Sequence, residues 1–353
     1  MRGQGLGVCN TRDTRECASE GFAVKFVGCL VLLGLFVLAV PPVAAQSHPP
    51  SPYDLVPPLR AAQVVPAGLR PAGVFGGREI AEGAFAFQVA LLSADGLSDD
   101  PESQYRSQFC GGALIAPDWV LTAAHCVVRD GVALTPDKFI VLAGSIDLMA
   151  GRRLAASRVI VHERFDPDSL DHDVALIELT APSGLPTVGI DDGTAAARAA
   201  TVLGWGMTEN GAYPRYLLGS DLEIVTSAAC DSGIRAIYAG DLRDSLRQLG
   251  ARYHIPARDL DSAGDELAAR LPDPLTGTML CAGLETGTRD SCYGDSGGPL
   301  VATVAGRVVE VGIVSWGEGP SNADIKCGHR DVYGVYSRVA SVHDWIAAQI
   351  GAP

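Results

Sequence analysis

Short runs rich in valine, isoleucine and leucine, broken by polar or glycine-containing stretches, recur along most of this chain and constrain its fold more than any other feature. Residues 87–92, 139–143, 158–162, 174–179, 201–203, 222–225 and 311–316 each have the length and composition of a β-strand. Runs at 299–304 and 307–311 flank Ala305-Gly306, a tight-hairpin signal. Only 234–251 and 342–350 read as helices. Many short strands without regular strand–helix alternation favour an all-β sandwich or barrel over a parallel α/β sheet.

The N-terminal region follows a different pattern. Residues 26–40, FVGCLVLLGLFVLAV, form an uncharged run preceded by Lys25 and followed by Pro41-Pro42 and the small residues Val43-Ala44-Ala45. This is the pattern of a secretory signal peptide over 1–45, cut before Gln46. The run is shorter than the ~20 residues a membrane span requires. A secreted or periplasmic product is therefore expected, with no stable membrane association once the signal is removed. From 46 to 73 the chain carries seven prolines and no amphipathic period. That stretch is expected to be an extended pro-segment or linker and not a packed element. Only three of the 27 basic residues are lysine, and this Arg and Ala bias suggests a bacterial coding sequence.

Beyond residue 73, 21 basic and 37 acidic residues leave a net charge of −16. Such a surface disfavours nucleic acid and anionic membranes and attracts cationic partners. Cys9, Cys17 and Cys29 would leave with the signal, whereas Cys110, Cys126, Cys230, Cys281, Cys292 and Cys327 remain. An even number in an exported chain implies disulfides, although spacing alone leaves their pairing open. None has the CxxC spacing of a zinc site, and no metal or other cofactor is expected.

The stretch RDSCYGDSGGPL at 289–300 holds Ser296 among glycines, with Asp295 beside it and Asp290 six residues upstream. A serine hydroxyl becomes a nucleophile only when an oriented base takes its proton. Neighbouring glycines allow backbone N–H groups, here those of Gly294 and Ser296, to face a carbonyl oxygen as it becomes an oxyanion. That chemistry requires a histidine and a carboxylate elsewhere. CGGALIAPDWVLTAAHC at 110–126 carries His125, and DHDVALIEL at 171–179 carries Asp173.

Taken in order with VFGG, GWG, SWG, GVYSRV and VHDWI, these motifs make residues 74–350 resemble the trypsin/chymotrypsin-like serine proteases, within the trypsin-like specificity subgroup. The resemblance implies two packed six-stranded antiparallel β-barrels, the first over about 74–192 and the second over about 193–340, and a C-terminal helix at 341–350. It implies a His125–Asp173–Ser296 triad, an oxyanion hole from Gly294 and Ser296, and Ser315 supporting Asp173. Asp290 takes the position at the base of the primary specificity pocket, implying cleavage after Arg or Lys. Gly317 and Gly334 take positions that keep that pocket open, and the backbone of Ser315, Trp316 and Gly317 is expected to pair with substrate as an added strand. Asp171 and His172 are expected to be solvated neighbours of the triad, and His162, His254, His329 and His343 surface residues.

The resemblance also implies the pairings Cys110–Cys126, Cys230–Cys281 and Cys292–Cys327. The second encloses an unusually long insertion, about 231–274 and partly helical, which is expected either to border the substrate cleft, limiting bulky proteins or inhibitors, or to be inert surface. Calcium is not expected: Arg152 and Arg153 occupy the family's calcium loop, and 259–264 lacks a calcium-loop pattern. Tyr333 stands where relatives with tyrosine can bind sodium near the pocket, but the neighbouring loop is altered here, so the resemblance leaves sodium dependence open. In family members Asp295 pairs with the α-amino group freed by zymogen cleavage. Val74 fits that mature start, yet Gly73 precedes it and Arg70 is followed by Pro71. The expectation is a zymogen cut at Gly73–Val74 by an activating protease of non-tryptic specificity. The alternative is a catalytically silent binding protein in which Val74 is never freed.

Overall fold

A computed structural model describes residues 51–63 and 75–351. The expected signal peptide and Val74 lie outside the described residues.

Two antiparallel sheets form the body. The first runs in space Arg152–Leu154, Phe139–Ala143, Gln88–Ser93, Gln108–Ala116, Trp119–Thr122, Ala175–Leu179, Ala156–Val161. Register shifts at Leu91/Leu92, Leu114/Ala116 and Glu178/Leu179 bend its strands, so the sheet curls around Val89, Leu91, Leu114, Leu121 and Leu176, all fully buried. Among the described residues no pairing joins its two outer strands. In the second sheet Leu218–Val225, Ala199–Gly204, Pro299–Val304, Arg307–Trp316, Gly334–Arg338 and Met279–Gly283 follow one another. Met279–Gly283 pairs back onto Leu218–Val225, which closes a six-stranded barrel. The molecule is thus all-β and chymotrypsin-like in class, as expected. Ala305 and Gly306 both have positive φ (50° and 76°), the geometry that a two-residue hairpin turn needs, and the two sequence runs after it fuse into one long strand, Arg307–Trp316.

The helices are α1 (Pro52–Ala61), α2 (Pro101–Ser107), α3 (Ala124–Val127), α4 (Ser227–Ala251), α5 (Ala257–Ala268) and α6 (Val339–Ile350). The predicted helix at the C-terminus is α6. The insertion is a helical hairpin, α4 and α5, joined by Arg243–Asp265 at 2.5 Å and Arg247–Asp261 at 2.7 Å. Thr226 caps α4 by accepting from the Ala229 N–H at 3.2 Å. Residues 259–264, weighed as a calcium loop, lie inside α5.

Helix α1 overturns the expectation that 46–73 holds no packed element. Pro52 sits in its first turn, where no N–H is needed, but Pro57 and Pro58 lie inside it and remove two backbone donors. What offsets that loss is tertiary. Tyr53, Val56 and Arg60, spaced three and four residues apart, share one helical face and are all buried. A face of only two apolar residues and an arginine is too sparse to register as a periodic pattern.

Candidate active site

His125 sits in the single turn of α3, directly after the strand Trp119–Thr122, and Asp173 precedes the neighbouring strand Ala175–Leu179. Their junction is fully specified. Asp173, 0 % exposed, lies 2.6 Å through Oδ2 from His125 Nδ1 and accepts at Oδ1 from the His125 backbone N–H at 2.8 Å. Ser315 Oγ donates to the same Oδ2 at 2.5 Å, and Ser337 Oγ donates to the Asp173 carbonyl at 2.7 Å. A carboxylate so held favours the tautomer with the His125 proton on Nδ1 and leaves Nε2 as the acceptor nitrogen.

Ser296 is carried to this side by its neighbours. Its carbonyl accepts from the Gly111 N–H at 2.7 Å. At Gly297 (φ 75°) a Cβ would stand 2.2 Å from Thr122 Oγ1 and 3.1 Å from Ala123 N, just ahead of His125. Only glycine permits that approach. Ser296 Oγ and His125 are not hydrogen-bonded to each other among the described residues. Gly294, at φ 98°, directs its carbonyl to Gln108 Nε2 at 2.8 Å. Among the described residues the N–H groups of Gly294 and Ser296, on either side of Asp295, donate no backbone hydrogen bond.

Asp290 and Asp295 occupy separate buried sites. Asp290, 6 % exposed, accepts from the Ser291 N–H at 2.8 Å and the Gly328 N–H at 2.9 Å. Burial pushes its pKa up to about 7 despite these donors. A Cβ on Gly334 would lie 2.8 Å from its Oδ1, and one on Gly317 would lie 4.0 Å from the Gly334 Cα. Asp295, fully buried, accepts from the Gly206 N–H at 2.7 Å and the Cys292 N–H at 2.9 Å; burial raises its pKa to about 6. Cβ atoms on Gly204 or Gly206 would stand 2.0 and 2.3 Å from its oxygens, the physical reason for the GWG motif. Disulfides join Cys110 to Cys126, Cys230 to Cys281 and Cys292 to Cys327.

The trypsin family model matches residues 74–346. Two relatives are each 30% identical to this chain: trypsin-1 of Astacus astacus, over 78% of this chain and 99% of its own length, and trypsin of Sus scrofa, over 79% and 96%. The chain belongs to the trypsin family.

Against that family background the insertion has a definite position. Tyr238 Oη of α4 donates to Glu318 at 3.4 Å, and Asp241 accepts from the Ser321 N–H at 3.0 Å. The hairpin therefore rests beside the segment that follows Trp316 and Gly317. Burial, reinforced by the nearby Asp241 charge, raises the Glu318 pKa against the Tyr238 hydroxyl, which lowers it.

Two expectations about histidines fail. His172 and His162 are each 6 % exposed, not solvated. The His162 ring lies 4.7 Å from those of both His172 and Trp345, so α6 packs against His162. Asp171, expected to be solvated, instead receives the hydroxyls of Thr276 (2.7 Å) and Thr278. His172 Nδ1 is 2.9 Å from Asp171 but not aligned for a hydrogen bond. His254 is exposed, His329 and His343 half-buried, and Tyr333 is buried against Gly283. The sequence reading missed Ser337, Gln108 and Arg60. Ser337 lay in plain view inside GVYSRV, whereas Gln108 and Arg60 stand in no motif.

Proposed function

We propose that this trypsin-family protein is a secreted serine endopeptidase that hydrolyses peptide bonds after Arg or Lys, made with residues 1–45 as signal peptide, 46–73 as pro-segment and 74–353 as protease domain. His125 Nε2 takes the Ser296 hydroxyl proton as Oγ attacks the scissile carbonyl carbon. The C–N bond then breaks, and the same proton passes to the leaving amine. Water repeats the sequence against the acyl-enzyme and restores Ser296. Asp173 keeps His125 in the required tautomer and stabilises the imidazolium; Ser315 and Ser337 hold Asp173 in place. The Gly294 and Ser296 amides receive the oxyanion, a contribution of about 3–4 kcal/mol per donor.

Asp290 supports the choice of substrate. A buried carboxylate with a pKa near neutrality is ionised by a guanidinium or ammonium brought against it, so a cationic side chain binds with differential strength over an apolar one. The substrate backbone pairs with Ser315, Trp316 and Gly317. Peptide and protein substrates carrying Arg or Lys, an activating protease and protein inhibitors are the partners this reading implies, and α4–α5 narrows the approach for the larger ones.

The observation that carries the reading is the bonding of Asp173 to His125 in the same site as the amides of Gly294 and Ser296, which donate no backbone hydrogen bond among the described residues. Hydrolysis of a chromogenic peptide ending in Arg, with Ser296→Ala as the blank, tests it. Turnover that vanishes in the blank is expected; a folded protein that shows no turnover even after cutting before Val74 overturns it.

A further inference from the structure

Helix α1 places one cation deep in the molecule. Arg60 is 0 % exposed. Its guanidinium carbon lies 5.1 Å from the Tyr105 ring centre and 4.6 Å from that of Tyr213, so it is sandwiched between two aromatic faces. Nη2 donates to the Trp205 carbonyl, and Nη1 to the Pro214 carbonyl at 3.5 Å. Tyr105 Oη donates to the Tyr213 carbonyl at 2.9 Å, fixing one wall of the slot.

The helix is fastened at both ends around this arginine. Tyr53 meets Phe109 edge-on at 5.1 Å and donates to the Lys138 carbonyl at 3.0 Å. Asp54 pairs with Arg129 at 2.9 Å. Past the helix, Gln63 donates to the Gly211 carbonyl at 2.8 Å and accepts from the Tyr213 N–H at 2.9 Å.

The slot ends at Asp295. The Trp205 carbonyl that receives Arg60 and the Gly206 N–H that donates to Asp295 belong to the same peptide group. A cation on the oxygen and a carboxylate on the N–H of one peptide polarise it in the same sense, so each hydrogen bond strengthens the other. Charged or titratable groups acting on Asp295 or feeling its charge are Arg60, Tyr213, Asp290 and Tyr336, and Arg60 is the cation among them. The same strand that carries Phe109 under Tyr53 also carries Gln108, which holds the Gly294 carbonyl at 2.8 Å. Both supports of the loop that bears the oxyanion donors thus connect to α1.

We propose that the segment 51–63 is a tethered positioning element of the protease domain, in which Arg60 is a built-in cationic partner for Asp295. Acting through the Trp205–Gly206 peptide, it orders the Gly294–Ser296 loop while Val74 is still inside the chain. This rests on the protease reading above. It also removes the difficulty that no basic residue stands immediately before Val74, because the uncut chain already holds a cation for its buried acid. A segment that instead blocked the site would consume the donors of that loop, yet the Gly294 and Ser296 amides donate no backbone hydrogen bond among the described residues. The carbonyl of Phe75, just past Val74, already accepts from the Asp290 N–H at 3.3 Å.

The test uses the chain with an intact mass proving it continuous from Ser51 through Val74, treated with a serine-directed fluorophosphonate across a pH series. The uncut wild type is expected to be modified at Ser296. Arg60→Met is expected to react roughly 10- to 100-fold more slowly, the loss of one hydrogen bond to a charged group. Its acid limb should also move to higher pH as Asp295 loses its cation. Arg60→Lys, which keeps the charge but not the planar fork, should return both rate and limb towards wild type. Arg60→Met with the wild-type rate and limb overturns the proposal. Should that variant fail to fold, Arg60→Lys decides alone, because a folded Lys variant that is unreactive while uncut overturns it too. A wild type that reacts only after cutting at Val74 also sinks the proposal and leaves the protease reading standing. No reaction in any form, cut or uncut, removes the protease reading itself.

Discussion

Asp290→Asn, made in the Ser296→Ala protein so that no self-digestion intrudes, separates the cost of the specificity acid from its use. Burial moves the Asp290 pKa from 3.8 to about 7. Between these values the folded chain keeps a proton that the unfolded chain has released. Stability therefore falls as pH rises through that window and is level above it. The whole loss is about 4 kcal/mol, of which about 3 kcal/mol falls between about pH 5 and about pH 8.5. Asparagine cannot ionise, so the variant lacks this loss. It does misplace one amide partner of the pair at Ser291 and Gly328, a penalty of about 1–3 kcal/mol that is independent of pH. Urea unfolding at the two pH values, compared as a difference of differences, cancels that constant along with every titration the two proteins share. A small aryl amidine should then restabilise the parent at the higher pH and leave the variant unmoved. Equal pH dependence in the two proteins would falsify the assignment of Asp290 as a strained, unpaired acid awaiting a cation.

Three further outcomes follow from particular contacts. Asp173→Asn replaces the acceptor of His125 Nδ1 and should lower kcat by about 10⁴-fold, with KM little changed, in steady-state assays; a tenfold effect would mean the tautomer is fixed elsewhere. Gly206→Ala forces a Cβ to within 2.3 Å of Asp295, whereas Gly240→Ala meets nothing within 4 Å inside α4. Denaturation should show the first losing about 1–3 kcal/mol and the second gaining up to about 1 kcal/mol, and the reverse order would contradict the packing described. Glu310, fully buried with neither carboxylate oxygen partnered, has its pKa raised well above the usual range by burial. Glu310→Gln should therefore gain stability over the parent as pH rises, in melts at a series of pH values, and a constant offset would count against it.

What was legible in the sequence and what was not divide along a physical line. The site around Ser296 could be read because its constraints are local in the chain. Gly294 and Gly297 have positive φ, a backbone conformation that glycine adopts freely, so the glycines that shape this loop stand beside Ser296 in the chain. The strands at 139–143 and 299–304 were equally readable, since a strand buried on both faces writes a short continuous apolar run into five or six consecutive residues. Helix α1 obeys neither condition. Its reason to be helical lies in Phe109, Lys138, Trp205 and Tyr213, between 56 and 153 residues from the helix residues they touch, and its own composition argues for an extended chain. His162 and His172 fail in the same way, because Trp345, which packs against His162, stands on the last helix, and His172 packs against His162. This has a consequence for function as well as fold. In a protein whose chemistry is set by short motifs, the residues that control when those motifs become competent need only reach them through space. Arg60 is such a residue: nothing in the sequence around it suggests a role, and its geometry connects it through one peptide group to the acid beside Ser296.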